Sequence, residues 1–155
     1  MGKFDGVLLV SDFDDTLYSG HNQVAPRNLQ ALDYFIAQGG RFTVATGRAH
    51  RTFAPYAHLV PLNAPAVLSN GSALYDFQAG KMILQTFLSP TVLPDFQAVC
   101  DAFPALALEA YHGEEIYAYR PNHVTDAHMV KVGTDYTQVQ HIDEIPLAGV
   151  HAVAV

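Results

Sequence analysis

Three carboxylates lie within four positions of the sequence, directly after a short apolar run. The segment "LLVSDFDDTL" (8–17) places Asp12, Asp14 and Asp15 behind Leu-Leu-Val. Two carboxylates this close resist ionising together unless a cation lies between them. A hard divalent ion with oxygen ligands meets that need, and Mg²⁺ is the usual choice near phosphate groups. The spacing therefore indicates a loop that binds a cation or takes part in group transfer.

Asp12 and Asp14 could divide the work of phosphoryl transfer. An ionised carboxylate can attack phosphorus, and a second one can hold a proton for the leaving group and later take one from water. Thr16 could bond the loop backbone and fix its shape. The alternative interpretation of the segment is a solvated acidic turn or a helix cap.

Alternating strands and helices would position these side chains. Three apolar runs predict strands buried on both faces: 6–12, 41–47 and 64–71. The segments between them predict two helices: 25–40 and 48–59, the second interrupted or bent near Pro55. Strands and helices in this order imply right-handed crossovers and a parallel α/β sheet.

Polar side chains follow each of the three predicted strands. Ligands of such sheets bind beyond the carboxyl ends of the strands, where Asp12, Thr46 and Asn70 would share one rim. Gly47 would let the backbone approach a ligand closely. A helix starting near Arg48 would add free N–H groups, a positive dipole end and a permanent charge for phosphate. This combination predicts a phosphoryl-transfer site.

For two of these residues, a purely structural role is an open alternative to ligand binding. Arg48 could equally be a surface charge at the start of a helix or a contact to the substrate. A turn former before Gly71 is slightly favoured over a ligand contact for Asn70.

The pattern changes after Asn70. We predict first a hairpin with Gly80 in its turn, and then a helix over 89–103 with Ser89 at its cap and Pro90 in its first turn. Two strands are expected in 105–121, joined at 112–114. A loop plus a short helix in 122–146 and a strand over 148–155 complete the prediction. In 105–121, an ordinary strand face is favoured over a pocket for a sugar. A boundary between two lobes is expected near residues 85–89.

Composition excludes several classes of partner. The chain has 155 residues, eight Lys and Arg together and a net charge of −7, so we expect no nucleic-acid partner. No apolar run approaches the roughly 20 residues of a membrane span, and no membrane partner is expected. Cys100 is the single cysteine, which predicts a small core residue, no internal disulfide and a cytoplasmic location. The eight histidines show no zinc-site spacing.

Three segments resemble a known family. "DFDDT", "VATGR" and "LSNGSALYD" occur in the order and at the separations seen in the haloacid dehalogenase-like (HAD) superfamily, and the third is similar to its Cof-type sugar-phosphate phosphatases. The resemblance implies an α/β fold: a Rossmann-like parallel core over 1–86 with an inserted α+β cap over 87–155, both incomplete. It also implies a Mg²⁺-dependent phosphatase.

The resemblance assigns roles to individual residues. Asp12 would be the nucleophile that forms an aspartyl-phosphate, and Asp14 the general acid/base. Asp12 and the backbone carbonyl of Asp14 would bind Mg²⁺. Gly commonly stands at the position of Asp15, which is therefore read as a loop acid. Thr46 and Gly47 would bind the transferring phosphoryl group, whereas the substrate side would be contacted by Arg48 and Asn70.

Two further motifs of the family are missing. No later Lys in the expected setting and no Gly-Asp acid pair follow residue 86, and Lys131 stands too early. The chain thus resembles the N-terminal portion of such an enzyme. The predicted function is hydrolysis of small phosphomonoesters, with sugar phosphates as the default substrate. The alternative is an incomplete fragment that binds phosphate or Mg²⁺ without turnover. A phosphoacceptor signalling domain does not fit "VATGR".

The first predicted strand has an exposed edge in this interpretation. Without further core strands beside it, 6–12 would offer unpaired backbone groups to another chain. A dimer or swapped homo-oligomer is therefore expected, with a small phosphorylated metabolite as the other partner.

Overall fold

A computed structural model describes residues 2–19, 23–89, 91–146 and 149–154. The chain divides into two units, Met1–Gln85 and Thr86–Val155, close to the boundary expected from the sequence. Within the described ranges, no helix combines the length and the apolar character needed to cross a membrane.

The first unit alternates strands and helices in its first half and ends in a hairpin. Its elements are β1 (Leu8–Asp12), β2 (Tyr18–Ser19), β3 (Gln23–Val24), α1 (Pro26–Ala37), β4 (Arg41–Ala45), α2 (His50–Phe53), β5 (Ala66–Leu68), β6 (Ala73–Asp76) and β7 (Lys81–Gln85). Two 3₁₀ segments lie between them, Ala54–Leu59 and Ser69–Gly71. α1 has Pro26 in its first turn, as predicted.

The main sheet has the order β1-β4-β5-β6-β7. β1, β4 and β5 are parallel, with Asp12 opposite Ala45 and Ala45 opposite Val67. β6 and β7 are antiparallel and form the predicted hairpin. The carboxyl ends of three parallel strands therefore meet at one edge, as the sequence predicts.

The apolar residues of the first unit are buried unequally. Phe42 and Val44 of β4 are fully buried, and Phe13, Phe53 and Leu68 join the same core. By contrast, the residues of β1 are largely exposed, from 42% for Leu9 to 56% for Leu8. The prediction of a strand buried on both faces is therefore wrong for β1. The physical reason is its place at the end of the sheet, with β4 as its only neighbour among the described strands.

The second unit is built on a four-stranded sheet. Its elements are α3 (Val92–Ala102), β8 (Leu108–His112), β9 (Glu115–Tyr119), α4 (His123–Val132), β10 (Thr137–Val139) and β11 (Val150–Ala154), with a 3₁₀ turn at Ile142–Glu144. The strand order is β10-β9-β8-β11. Its core contains Leu93, Cys100 and Leu108, which confirms the predicted core position of Cys100.

Two predictions for the second unit need correction. α3 begins at Val92, after Thr91, and the Ser89 hydroxyl accepts a bond from the Thr91 N–H (3.3 Å) outside the helix. Ser89 is therefore not the cap, and Pro90 lies outside the described residues. The region 122–146 starts with α4 rather than a loop, because Asn122 and Thr125 form a reciprocal capping box, and it also contains β10.

Candidate functional site

Four of the six predicted site residues line one cavity of about 290 Å³. The cavity is surrounded by Asp12, Thr46, Gly47 and Asn70. Ala45 of β4, Val67 of β5 and Gly71 complete its lining. They meet because β1, β4 and β5 are parallel and end at the same edge. The cavity has the setting in which parallel sheets bind ligands.

Asp14 and Arg48 form a close ion pair beside this cavity. Arg48 donates from Nε to Asp14 Oδ2 (2.9 Å) and from Nη2 to Asp14 Oδ1 (2.8 Å). The side chain of Arg48 is only 5% exposed, whereas that of Asp14 is 29% exposed. The hydrogen bond that Arg48 donates to Asp14 raises the pKa of Arg48, although burial works in the opposite direction. The charge of Arg48 is thus directed at Asp14.

The buried hydroxyl of Thr46 connects this pair to β4. Its Oγ1 accepts a bond from the Arg48 N–H (3.1 Å) and lies 3.5 Å from Asp14 Oδ2, to which it can donate. The Thr46 N–H donates to Val67 O (3.0 Å), which ties the turn to β5. Thr46 therefore holds the turn in place and also faces the cavity.

Gly47 lies close to the side chain of Asn70, and both residues line the cavity. A Cβ atom on Gly47 would stand 3.1 Å from Asn70 Oδ1, so a side chain here would crowd the amide. Asn70 has a left-handed backbone (φ 54°), which suits its interpretation as a turn former. Its amide also borders the cavity, so the structure is compatible with both interpretations of Asn70.

The helix predicted to start near Arg48 begins two residues later and is short. α2 contains only His50–Phe53, and the chain continues as the 3₁₀ segment Ala54–Leu59. Arg48 stays outside because its N–H bonds Thr46 Oγ1 and its carbonyl accepts from Ser69. Pro55 lacks the N–H that a continuing α-helix needs. The argument from a helix dipole at Arg48 is therefore wrong, whereas the interruption near Pro55 is confirmed.

The loop after β1 is held differently from the sequence prediction. Thr16 donates its hydroxyl to Asp12 Oδ2 (2.8 Å) rather than to the loop backbone. The backbone is held by the N–H groups of Leu17 and Tyr18, which donate to Phe13 O. Asp15 is exposed with φ 58°, a conformation that Gly adopts most easily.

The donor set fits Mg²⁺ in part. Mg²⁺ prefers hard oxygen ligands and often takes only one or two carboxylates together with waters and substrate phosphate. The exposed Asp12 carboxylate meets this requirement, and the backbone carbonyl of Asp14 is the second candidate. The Asp14 carboxylate is committed to Arg48. Within the described ranges, no group of three or more His, Cys, Asp or Glu residues is arranged to hold a metal.

A second polar cluster lies in the second unit and was not foreseen. Glu109 is 6% exposed, and its Oε2 accepts from the Tyr111 hydroxyl (2.9 Å) and contacts His128 Nδ1 (2.8 Å). Burial, followed by the charge of Glu109, raises the pKa of Tyr111. The two-residue spacing of Glu109 and Tyr111 places them on one strand face. No sequence signal linked either to His128, which comes from α4.

The fold and this edge define an α/β protein with a ligand site at the carboxyl ends of its parallel strands. Residues 9–150 match the haloacid dehalogenase-like hydrolases. Because this match covers most of the chain, the chain belongs to that family, which confirms the resemblance of the three motifs.

Relatives and solved structures agree with this assignment. Pyridoxal phosphate phosphatase YbhA of Escherichia coli is 29% identical over 85 residues, which is 55% of this chain and 31% of that protein. A hydrolase of this family from Bacteroides thetaiotaomicron has a TM-score of 0.73 at 21% identity, covering 96% of this chain and 56% of the other. The subclass IIB sugar phosphatase BT4131 has a TM-score of 0.74 at 17% identity, covering 93% and 56%.

The chain is shorter than these proteins. Its matches span 31% to 48% of the length of the curated relatives. The structural likeness, at these identities, shows the shared fold.

Proposed function

We propose that the protein containing this chain hydrolyses small phosphomonoesters through an aspartyl-phosphate on Asp12. The observation that carries the proposal is the cavity at the sheet edge, where the Asp12 carboxylate faces Thr46, Gly47 and Asn70. A phosphoryl group there would lie within reach of a nucleophile, a hydroxyl and an amide. Such positioning is what phosphoryl transfer requires of a protein.

The two aspartates would carry the bond changes. An Asp12 oxygen attacks phosphorus, and the bond from phosphorus to the leaving oxygen breaks while Asp14 supplies a proton to that oxygen. A water then attacks the phosphorus of the aspartyl-phosphate and gives one proton to Asp14, while the bond from phosphorus to the Asp12 oxygen breaks, which restores the Asp12 carboxylate and releases phosphate. Thr16 orients Asp12 by donating its hydroxyl to Oδ2. Mg²⁺, held by Asp12 and the Asp14 carbonyl, would supply positive charge to the phosphate oxygens.

The substrate would be a phosphorylated metabolite, with sugar phosphates as the first class to test. Family membership and the phosphatase names of the relatives support phosphate ester chemistry. The subclass IIB sugar phosphatase among the similar structures supports the choice of sugar phosphates. The cytoplasmic location expected from the single cysteine stays a prediction.

A second candidate function is binding of phosphate or Mg²⁺ without turnover. It is favoured by the lack, among the described residues, of three or more His, Cys, Asp or Glu side chains arranged to hold a metal ion. Under this alternative the cavity would bind phosphate, but no ester would be cleaved.

Hydrolysis of an aryl phosphate separates the two candidates. The chain is assayed with and without Mg²⁺, beside the variants Asp12→Asn and Asp15→Asn. Each variant removes one negative charge from the same loop, but only Asp12 faces the cavity. Turnover that needs Asp12 and not Asp15 supports the enzyme. A folded wild-type chain with no turnover supports the binding-only alternative.

We further propose that two copies of the chain associate along β1. The supporting observation is the exposed apolar face and edge of β1, with Leu8 at 56% and Val10 at 44% exposure. Unpaired strand edges of this kind readily add another strand.

Light scattering after gel filtration tests the association. We expect a dimer for the wild type and a monomer for Val10→Lys. Val130→Lys is the matched control, because Val130 is 82% exposed on α4 and lies in the other unit. A monomeric wild type would contradict the association.

A further inference from the structure

Arg48 is buried in an environment that determines the direction of its guanidinium group. Its Nε contacts both oxygens of Asp14 at 2.9 and 3.2 Å, and Nη2 donates to Oδ1 at 2.8 Å. Nη1 donates to the carbonyl of Thr52 at 3.1 Å. The guanidinium also lies 4.5 Å from the ring centre of Tyr56, a cation–π distance. Each of its three nitrogens therefore has a protein acceptor.

These contacts leave Arg48 poorly placed to bind substrate. The cavity that carries Asp12 is lined by residues of β4, β5 and the two turns that follow them, and both Arg48 and its partner Asp14 lie outside this lining. To offer its Nε–Nη2 edge to a phosphate there, Arg48 would have to give up its bidentate bond with Asp14. Bidentate Arg–carboxylate pairs are among the stronger and more directional hydrogen bonds of proteins.

We propose that Arg48 is a positioning residue that fixes the plane and the place of the Asp14 carboxylate beside the cavity, rather than a ligand of the substrate. This inference rests on the proposed function for the role of Asp14. Arg48 joins three segments: the loop after β1 through Asp14, α2 through Thr52, and the turn after β4 through the Arg48 N–H and Thr46. It thereby fixes the distance between the loop that carries both aspartates and the turn expected to hold phosphate.

The planar fork of Arg48 is needed for this role. Lys supplies a point charge with no fixed plane and cannot contact both carboxylate oxygens in the same way. Arg48→Lys would keep the positive charge but would lose the alignment of Asp14. A residue that only neutralised phosphate would tolerate this change better.

Nitrogen-detected NMR of the arginine Nε–H groups tests the geometry without any need for turnover. The Arg48 signal is assigned by its loss in Arg48→Lys. We expect Asp14→Asn to shift or broaden this signal, and Asp15→Asn, which removes the same charge one position away, to leave it in place. Inorganic phosphate with Mg²⁺ should shift the amide signals of Thr46 and Gly47 but not the Nε signal of Arg48.

The outcomes of this spectrum are distinguishable. An Arg48 signal that ignores Asp14→Asn, or that phosphate moves as far as Asp14→Asn does, would overturn the positioning role. Absence of phosphate-induced shifts at Thr46 and Gly47 would count against the proposed function. The comparison of Asp14→Asn with Asp15→Asn would still test the contact between Arg48 and Asp14.

Kinetics on the same chain provide the chemical readout. A misaligned general acid lowers kcat, most strongly for an alkyl phosphate with a poor leaving group, by up to about 100-fold. We expect this loss in Arg48→Lys, with KM changed by less than about twofold, since no substrate contact is removed. A raised KM with unchanged kcat would identify Arg48 as a substrate ligand. An inactive wild-type chain would support the binding-only alternative for this chain and leave the spectrum to decide the role of Arg48.

Discussion

Phe13 stands between the two functional aspartates and is fully buried. Its ring stacks on Tyr18 (centroids 5.1 Å apart) and meets Phe53 edge-on (5.0 Å). It also accepts the Leu17 and Tyr18 N–H groups on its carbonyl. The side chain of Phe13 therefore helps to anchor the loop that carries Asp12 and Asp14 to the core.

Replacement of Phe13 by Ala should be strongly destabilising. Truncation of a fully buried Phe costs about 3–5 kcal/mol through lost burial and a residual cavity. Each of the two close aromatic contacts contributes about 0.5–1.5 kcal/mol beyond burial, which places the expectation in the upper part of that range. The Phe13→Ala variant should also lose phosphate binding, because the loop is no longer held against β4.

Urea unfolding followed by far-ultraviolet circular dichroism measures this cost. The two units are fitted as separate transitions if they unfold apart. Phe103→Ala is the matched control, because Phe103 is 61% exposed and its loss should change the free energy of unfolding by less than about 0.5 kcal/mol. A loss below about 1 kcal/mol for Phe13→Ala, or equal losses for both variants, would refute the anchoring role.

Three further predictions concern single residues. Gly47→Ala should weaken binding of inorganic phosphate in a calorimetric titration, because its methyl group would stand 3.1 Å from Asn70 Oδ1; unchanged binding would place phosphate elsewhere. Asn63→Ala should cost about 1–3 kcal/mol in urea unfolding, since Asn63 bonds the backbone on both sides of the start of β4, and a neutral result would contradict this. Burial raises the pKa of the Cys100 thiol. A thiol reagent at pH 8 should therefore react with Cys100 far more slowly in the native chain than in the urea-unfolded chain. Equal reaction rates would count against burial of Cys100.

The parallel part of the fold was predictable because its signals are local. Apolar runs ending at Asp12, Thr46 and Asn70 indicate strands, and parallel pairing places their ends together. The hairpin around Gly80 follows from turn chemistry in the same way. The meeting of Asp12, Thr46 and Asn70 was therefore within reach of sequence reasoning.

Pairings between distant residues were not predictable in this way. Asp14 and Arg48 are 34 positions apart, and nothing in the segment "VATGR" shows that the arginine turns towards the first loop. His128 meets Glu109 across 19 positions for the same reason. The exposure of β1 depends on which strands lie beside it, a property of the sheet and not of the run Leu-Leu-Val.

Acid-quenched phosphoryl labelling of Asp12 tests the central claim most directly. The chain is incubated with Mg²⁺ and an aryl phosphate, quenched in acid, and its peptides are examined for an added phosphoryl group. We predict labelling of the peptide that contains Asp12 in the wild type and in Asp15→Asn, and none in Asp12→Asn. Turnover of the ester with no label on that peptide, or with full activity in Asp12→Asn, would contradict the claim.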